Sequence, residues 1–461
     1  MKCLSRRLLV LTTALCASAS QAAYAESLRA ALTAAYAHNP SINAALFSVK
    51  VAAENIALKK ATTLPDLSAT TSLENSFTST SAGSSNTPTA SAGLSYSQTL
   101  FDNHKTDANV EEARANVEVA NQSLRSTIST VLIDAVDAYM NVILYTELVS
   151  LRTQSVDFYR KQVAATQDKQ QIGEATKVDV AQAQSSLASA IASQKSAAAS
   201  LQSAQASYVQ WIGHKPRDLS SDFNFGTLIP TTVDKALSLA NSHNPSILSA
   251  GASIRAAQAA EDAAAAGFGP TVTASGSLGP SFCAGSTSSC SYNAALEGSA
   301  TVQFSVPIYS GGALGAAQRQ AGLSTIKSQL DARSAVDQVN EDTATSWNAL
   351  QNAISQIQSA EAAVQYSQLS LGGVIDERDV GEKTTLDVLN AEATLETNQE
   401  SLVTANVTKV TASFALIAST GRMSPRDLGL STPPKSAQRY TEKVEDTWEE
   451  VRSFGKQGAP E

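Results

Sequence analysis

The stretch Gln171-Ile-Gly-Glu-Ala-Thr-Lys-Val-Asp-Val-Ala-Gln-Ala-Gln184 recurs 208 residues later as Asp379-Val-Gly-Glu-Lys-Thr-Thr-Leu-Asp-Val-Leu-Asn-Ala-Glu392. In both copies a Gly-Glu pair is followed by Thr, with Asp three residues after the Thr. Glycine adopts positive φ readily and so ends a helix. Thr with Asp three residues on forms a capping box that begins the next helix. Because each copy interrupts a long run of helix-forming residues, the sequence predicts two long helical hairpins with these stretches at their tips.

The internal repeat extends well beyond the tips. The segment His38-Asn39-Pro40-Ser41-Ile42 recurs identically at residues 243–247, an offset of 205, and the offset becomes 208 by Tyr309. Three residues are therefore inserted between Pro270 and Tyr309, where we expect an exposed loop, since loops tolerate length changes. Each repeat begins with a short helical pair broken at Asn-Pro, because the residue before proline is driven out of the helical region. The predicted repeats are residues 26–225 and 226–423, and their short helical pairs are residues 27–63 and 232–266.

Two extended runs follow the short helices of each repeat, in strand pairs at residues 65–101 and 270–309, the last run reaching Ile308. Apolar and polar residues alternate in these runs, which is the pattern of outer-membrane barrel strands. Ser/Thr/Gly-rich loops are predicted between the strands, at residues 79–90 and 283–293. Four strands are too few to close a barrel with a usable interior, and an open sheet in lipid leaves unpaired edges. We therefore expect several chains to share one barrel.

Very long helices follow each strand pair. Residues 105–170 carry apolar side chains at steps of three and four, which indicates a coiled-coil seam about 100 Å long. The return helix, residues 177–212, is rich in the small residues Ala and Ser. The second hairpin repeats this plan over residues 312–378 and 384–420, so the two hairpins span 103–212 and 311–421. A surface or cytoskeletal coiled coil would account for neither the strand pairs nor the N-terminal export signal. The alternative that stays open is a non-transporting structural or adhesive coiled coil anchored in the outer membrane.

The N-terminus indicates export. Residues 1–25 combine basic residues, an apolar core and Ala23-Tyr24-Ala25, the pattern of a cleavable signal peptide ending before Glu26. Leu15 stands before Cys16 where a lipoprotein signal needs a small residue, which argues against lipidation. The formal net charge of −9 includes three cations in this segment, so the mature chain is near −12 and a nucleic-acid partner is disfavoured. No other stretch approaches about 20 continuous apolar residues, so membrane insertion is expected through strands.

Nothing in the sequence indicates catalysis, a cofactor or a metal site. The four histidines are scattered, and no glycine-rich phosphate loop follows a strand. The cysteines outside the signal segment, Cys283 and Cys290, are a candidate disulfide that would close a small loop in an exported protein. Residues 424–461 are predicted to be a polar tail that is disordered in part, with a short helix near residues 440–454. Any energy for transport must therefore come from a partner.

As a set, these motifs resemble the TolC family of outer-membrane efflux and type I secretion proteins. They include the duplicated tips, the repeated His-Asn-Pro-Ser-Ile segments, and the junctions Gln98-Thr-Leu-Phe-Asp102 and Val306-Pro-Ile-Tyr-Ser-Gly-Gly312. The resemblance covers about residues 26–430. It implies a mixed α/β membrane protein: a homotrimer with a twelve-stranded β-barrel in outer-membrane lipid, continuing into a periplasmic tunnel of long α-helical coiled-coil hairpins.

The resemblance also implies function. The tunnel is expected to dock on a periplasmic adaptor (membrane-fusion) protein and an inner-membrane pump of the resistance-nodulation-division or ABC type. It would then be a gated passive conduit that carries drugs, toxic amphiphiles or secreted polypeptides to the cell exterior.

The family's acidic ring at the periplasmic aperture maps onto Asp387. One turn on, where the family's best-known pattern has a second acid, this sequence has Asn390, so three chains would place three carboxylates at the mouth rather than six. The alternative for Asp387 is a capping box with Thr384, and Asp179 with Thr176 has the same spacing at the other tip. The two roles can coexist.

Other tip residues are candidates for gating and docking. Polar links between the hairpins hold the closed state in the family, and the candidate latch here comprises Asp179, Lys383 and Arg378. Lys383 can pair across with Asp179 or along its own helix with Asp387. Candidate adaptor contacts are the residues expected to project furthest into the periplasm, for which simple turn formation is the alternative. These contacts are Gly173, Glu174, Gly381 and Glu382.

Overall fold

The computed structural model describes residues 25–81, 83–220, 225–283 and 294–445. Over these residues the chain passes twice through the order helix, helix, strand, strand, long helix, return helix. The first pass is α1 (Leu28–His38), α2 (Pro40–Lys60), β1 (Asp66–Thr80), β2 (Gly83–Phe101), α3 (Lys105–Gln171) and α4 (Lys177–Ile212). The second is α5 (Val233–His243), α6 (Pro245–Ala266), β3 (Thr271–Cys283), β4 (Ala294–Ser305), α7 (Ala313–Asp379) and α8 (Thr385–Ser419), followed by α9 (Gln438–Glu445).

The long helices begin and end within one or two residues of their predicted limits. The Asn-Pro breaks are also confirmed, because Asn39 and Asn244 have extended backbones (φ −65° at both) between the helices of each short pair. Asn244 in addition caps α6, since its side-chain oxygen accepts a hydrogen bond from the backbone of Ser246 at 2.9 Å. Breakers at these positions therefore determine the helical plan.

The four strands form one antiparallel sheet in the order β1-β2-β3-β4, so β2 pairs with β3 across the two passes. The predicted loop at residues 79–90 is wrong, because pairing between β1 and β2 continues to Thr80 opposite Gly83. Serine and threonine suggested a loop by composition, but on a pleated surface their side chains pair across strands. The Oγ atoms of Ser72 and Ser91, for example, lie 2.7 Å apart.

The last strand is shorter than predicted. β4 ends at Ser305, so Val306 and Ile308 lie beyond it, because Pro307 has no N–H for the ladder. The second predicted loop begins at the end of β3, and its residues 284–293 lie outside the described residues. Cys290 is among them, so the candidate disulfide with Cys283 stays a prediction.

An unusual backbone turn joins each strand pair to its long helix. Asn103 and His104 have positive φ, 57° and 64°, at the positions where the second pass has Gly311 and Gly312, with φ of 60° and 84°. The first-pass turn is held by side chains instead of glycine, since Asn103 Nδ2 donates to the backbone oxygen of Ala266 at 3.1 Å. Both passes therefore need the same positive-φ turn at this junction, and they form it with different residues.

The described chain forms two compact units, and each takes segments from both predicted repeats. Of the described residues, the first contains 25–39, 128–220, 225–237 and 342–434, and the second contains 40–81, 83–127, 238–283, 294–341 and 435–445. The hairpin tips belong to the first unit and the sheet to the second. The repeat limits at residues 225 and 423 stay a prediction about the sequence.

The first unit is stabilised by packing between its helices and by contacts of Glu26, near the start of the described chain. Glu26 pairs with Leu219 in a parallel bridge, and its backbone oxygen accepts a hydrogen bond of 2.7 Å from Tyr139 Oη. The Tyr139 ring is buried beside that of Tyr208, with 6.3 Å between their centroids. The predicted signal segment, residues 1–25, lies outside the described residues except for Ala25.

In the second unit the chain's tail returns to pack on α2. Glu445 forms ion pairs with Lys60, at 3.2 Å, and with Arg114. Tyr440 donates a hydrogen bond to Glu54. The predicted tail helix therefore exists, but α9 begins two residues earlier than expected and is described only as far as Glu445.

Two helices, α3 and α8, each contain an 18-residue window that is apolar enough to cross a membrane by length and composition. The expectation that no such segment follows residue 25 was therefore too strict. More than half of the α3 window, 56%, is already buried inside the chain. Buried helices of soluble proteins meet the same criterion, so it does not place these helices in lipid.

The hairpin tips as candidate functional site

Both tips turn through the same helix-ending motif. Gly173 has φ of 86°; its N–H donates to Gln170 at 3.1 Å, and the N–H of Glu174 donates to Lys169 at 2.8 Å. These two bonds define a Schellman motif, which needs a positive φ at the glycine. Gly381, with φ of 84°, has equivalent bonds. Nothing lies within 4 Å of a Cβ built at either position, so it is the positive φ, and not a lack of space, that favours glycine there.

Both capping boxes predicted from the sequence are formed. Asp179 Oδ2 accepts a hydrogen bond of 2.8 Å from the Thr176 N–H, and Thr176 Oγ1 accepts one of 3.2 Å from Asp179. The Thr384–Asp387 pair has the corresponding distances of 2.8 and 3.3 Å. The bond from the threonine N–H lowers the pKa of both carboxyl groups, and Lys383 lowers that of Asp387 slightly further. Both aspartates thus cap helices as carboxylates.

The candidate latch residues are arranged differently from the pairing that the sequence suggested. Among the described residues, the ion pairs of the chain do not include one between Lys383 and either Asp179 or Asp387. Arg378 instead reaches from α7 to α3, where its Nη1 donates to Gln162 Oε1 at 2.8 Å. Its Nη2 contacts Asp379 at 2.8 Å, and the Arg378 side chain is only 15% exposed. The two hairpins are therefore joined near their tips by Arg378 and Gln162.

Sequence reasoning missed Gln162, because no motif marks a lone glutamine on a long helix. It also missed four exposed apolar side chains that flank the tip turns. Their positions next to the turn glycines and the cap residues could have indicated them. They are Ile172, Val178, Val380 and Leu386. Glu174, Glu382 and Asn390 are exposed as well. The tips thus present apolar and acidic groups together.

A row of glutamates on α8 was not predicted either. Glu392, Glu396 and Glu400 are spaced one turn apart and so share a face of the helix. Glu400 is ion-paired with Arg152 of α3, with Nε and Oε1 2.7 Å apart. Nε and Oε1 are not aligned for a hydrogen bond with each other. The hydrogen bond between these residues is instead donated by Arg152 Nη2 to Glu400 Oε2, at 3.0 Å.

The other two acids of this row have no ion pair among the described residues, and Glu392 is buried while Glu396 is half-buried. Burial, and then the charge of Glu396, raises the pKa of Glu392 to about 7. Burial likewise raises the pKa of Glu396, although Arg152 and a hydrogen bond with Ser155 oppose this. Across the interface on α3, burial and both glutamates raise the pKa of Tyr159 to about 12. One carboxyl group between the hairpins, that of Glu392, therefore titrates near neutral pH.

No group of three or more His, Cys, Asp or Glu side chains in the described ranges is arranged to hold a metal ion. The tips therefore offer exposed apolar and acidic contacts, a polar link between hairpins and a buried acid row.

The doubled strand pairs and long hairpins define a class of protein, that of outer-membrane channels with helical extensions. A sequence model of the family described as outer membrane efflux protein matches residues 31–214 and 236–422, and the chain belongs to this family.

The similarity to individual proteins covers nearly the whole chain. It is 31% identical over 433 residues to the outer membrane efflux protein BepC of Brucella suis, covering 94% of this chain and 93% of BepC. It is 25% identical over 420 residues to the outer membrane protein TolC of Escherichia coli, covering 89% and 85%. Among solved structures, the CmeC outer membrane channel of Campylobacter jejuni superimposes with a TM-score of 0.74 at 15% identity, covering 91% of this chain and 89% of CmeC.

The protein is an outer-membrane channel for efflux or type I secretion. The predicted family, the channel fold and the outer-membrane location are thereby confirmed, whereas the homotrimer and its shared barrel stay predictions. Channels of this kind work with adaptor and inner-membrane pump partners.

Proposed function

We propose that the protein is the outer-membrane component of a tripartite system. It forms a homotrimeric, gated and passive conduit from a periplasmic adaptor and an inner-membrane pump to the cell exterior. Its cargo is drugs, toxic amphiphiles or secreted polypeptides, and it has no catalytic residues of its own. The observation that carries this proposal is the open four-stranded sheet, because β1 and β4 are left as edges that a lipid environment does not tolerate.

Exposed apolar residues on α7 support association of several chains. Leu323, Ile326 and Leu330 follow each other at intervals of three and four residues, and each exposes more than half of its surface. Such an exposed apolar stripe is suited to packing against a neighbouring helix. Three copies of the sheet supply twelve strands, which is enough for a barrel with an open interior.

The gate of the proposed conduit lies at the tips. Arg378 and Gln162 are the proposed closed-state latch, since their bond joins α7 to α3. Asp179 and Lys383 are kept in the proposed latch as charges at the tips, although the ion pairs of the described residues do not join them to each other. If Lys383→Ala and Asp179→Ala each leave conductance and antibiotic leakage unchanged, they have no part in it.

We propose that the adaptor contacts the exposed tip residues Gly173, Glu174, Gly381 and Glu382. Cysteines placed at 174 and 382 should then crosslink to an adaptor in cells with a working pump. Absence of crosslinking at both positions in such cells would contradict this contact.

The two capping boxes provide a matched test of the proposed aperture. Asp179→Asn and Asp387→Asn weaken caps of nearly equal geometry, but only Asp387 lies at the family's aperture position. In planar bilayers, the purified wild-type protein should show small cation-selective openings that a trivalent cation blocks from the periplasmic side. Asp387→Asn should lose the block, and Asp179→Asn should keep it.

The outcomes separate the parts of the proposal. Equal behaviour of the two variants would make Asp387 a helix cap alone. Absence of conductance from folded wild-type protein, together with unchanged drug sensitivity on deletion, would contradict the conduit itself.

A further inference from the structure

The interface between α8 and α3 holds a carboxyl group that the fold does not require. Glu392 is only 9% exposed, and its neighbours Val388, Leu389 and Leu395 belong to apolar clusters with side chains of α3, α4 and α7. A carboxylate in such surroundings is costly unless a cation or hydrogen-bond donors compensate for it.

The elements packed around Glu392 offer no such cation. Residues 180–194 of α4 contain no ionisable side chain, and residues 362–375 of α7 contain only the exposed Tyr366. From α3, Tyr159 faces the acids, whereas Asp157 and Arg160 pair with each other at 2.6 Å on the surface. Of the other α3 cations in this region, Lys161 is exposed to solvent, and Arg152 is engaged by Glu400 two turns away.

The first hairpin lacks this arrangement. At an offset of 208 residues, Gln184 corresponds to Glu392, and Ala188 and Ala192 correspond to Glu396 and Glu400. Helix α4, the return helix of the first hairpin, therefore has neutral residues at all three positions, so packing of a return helix does not need acids there. The acid row is a property of the second hairpin, the one that carries Asp387.

We propose that Glu392 and Glu396 form a proton-dependent fastener between α8 and α3. While Glu392 is neutral, α8 stays packed on α3. When Glu392 loses its proton, the buried charge and its repulsion from Glu396 loosen the tip half of α8. The proposal rests on the gated conduit above, because loosening at this level eases the opening of the tips as periplasmic pH rises.

The direction follows from proton linkage. In the packed state the pKa of Glu392 is raised from 4.5 to about 7, so between these values the packed state holds a proton that a loosened state releases. Packing is therefore favoured at low pH, weakens as pH rises through this window and is weakest above about 7. With these two values, the equilibrium constant for loosening rises about tenfold between pH 6 and pH 8.

Hydrogen exchange on the purified full-length protein tests the fastener without requiring conduction. After correction for intrinsic exchange rates, protection of the amides at residues 388–400 should fall about tenfold from pH 6 to pH 8 in the wild type. Glu392→Gln, which installs the residue of the first hairpin, should abolish this change. The control Glu361→Gln neutralises an exposed acid of α7 and should behave as wild type. Residues 180–192 serve as an internal reference.

The proposal is overturned if wild-type protection at residues 388–400 does not change with pH, or if Glu392→Gln keeps the change. Bilayer recordings of the same variants separate the two proposals. Openings that become more frequent with pH in the wild type but not in Glu392→Gln support both. Conductance whose pH dependence survives in Glu392→Gln refutes the fastener and leaves the conduit intact. The expected exchange pattern without conductance at any pH keeps the fastener and refutes the conduit.

Discussion

Replacing Gln162 should change how firmly the two hairpins are held together, in a direction set by the new side chain. The bond from Arg378 Nη1 to Gln162 Oε1 is 2.8 Å long, and Gln162 is 9% exposed. A bond of this kind, from a charged donor to a neutral acceptor, contributes about 1.5–3 kcal/mol. If opening breaks it, Gln162→Leu should raise the equilibrium constant for opening about 10-fold to 150-fold, since about 1.4 kcal/mol corresponds to a factor of ten.

Gln162→Glu should have the opposite effect. It places a carboxylate against the guanidinium, which adds an attraction between opposite charges to a bond that already has a charged donor. Asp379 already engages another nitrogen of Arg378 at 2.8 Å, so part of this gain is shared. We therefore expect fewer openings than in the wild type.

Open probability in planar bilayers, together with sensitivity of intact cells to large antibiotics, measures both effects. Gln194→Leu is the matched control, because the 2.9 Å bond from Gln194 to Thr153 lies within the first hairpin. The reasoning is refuted if Gln162→Leu is no more open than Gln194→Leu, or if Gln162→Glu opens as readily as Gln162→Leu.

Three further results are expected. Gly381→Asn should preserve the tip turn, whereas Gly381→Val, with a β-branched side chain at positive φ, should destabilise it by about 1–2 kcal/mol; equal exchange rates at the tip in both variants would contradict this. Because the hydrogen bond from Arg114 lowers the pKa of Glu445, the ion pairs of Glu445 should stabilise the packing of α9 fully above about pH 4.5, and this stabilisation should be lost as pH falls below that value. Proteolysis at residues 435–445 should therefore increase at low pH in the wild type. If the wild type is cleaved at the same rate as Glu445→Gln at every pH, this prediction is wrong. His104→Gly should be tolerated, since Gly312 occupies the equivalent turn, whereas His104→Val should lower the unfolding temperature; identical thermal unfolding of the two variants would show that φ does not limit this position.

Most helix limits could be predicted from the sequence, because they depend on interactions between residues close together in the chain. Glycine at 173 and 381 and the threonine caps after them act through bonds to residues within one turn. The Asn-Pro breaks act in the same local way. Helix limits that depend on such contacts need no knowledge of the rest of the fold.

What sequence reasoning missed depends on partners far away along the chain. The acceptor for Arg378 is Gln162, which lies 216 residues earlier, and the pKa of Glu392 is set by burial between helices. The error at residues 79–90 has the same origin. A segment rich in serine and threonine has the composition of a loop, but it forms a strand when a neighbouring strand pairs with it. Pairing, rather than composition, decides such segments.

Helices α3 and α7 both contain 67 residues, although few of their side chains are the same. The two segments thus differ at most of their side chains but have the same length. An in-frame insertion of one heptad in α3 alone would add about 10 Å to one hairpin arm and misalign its tip with the other. A length change in this gene is therefore expected to survive only when a second event of the same size occurs in the other half.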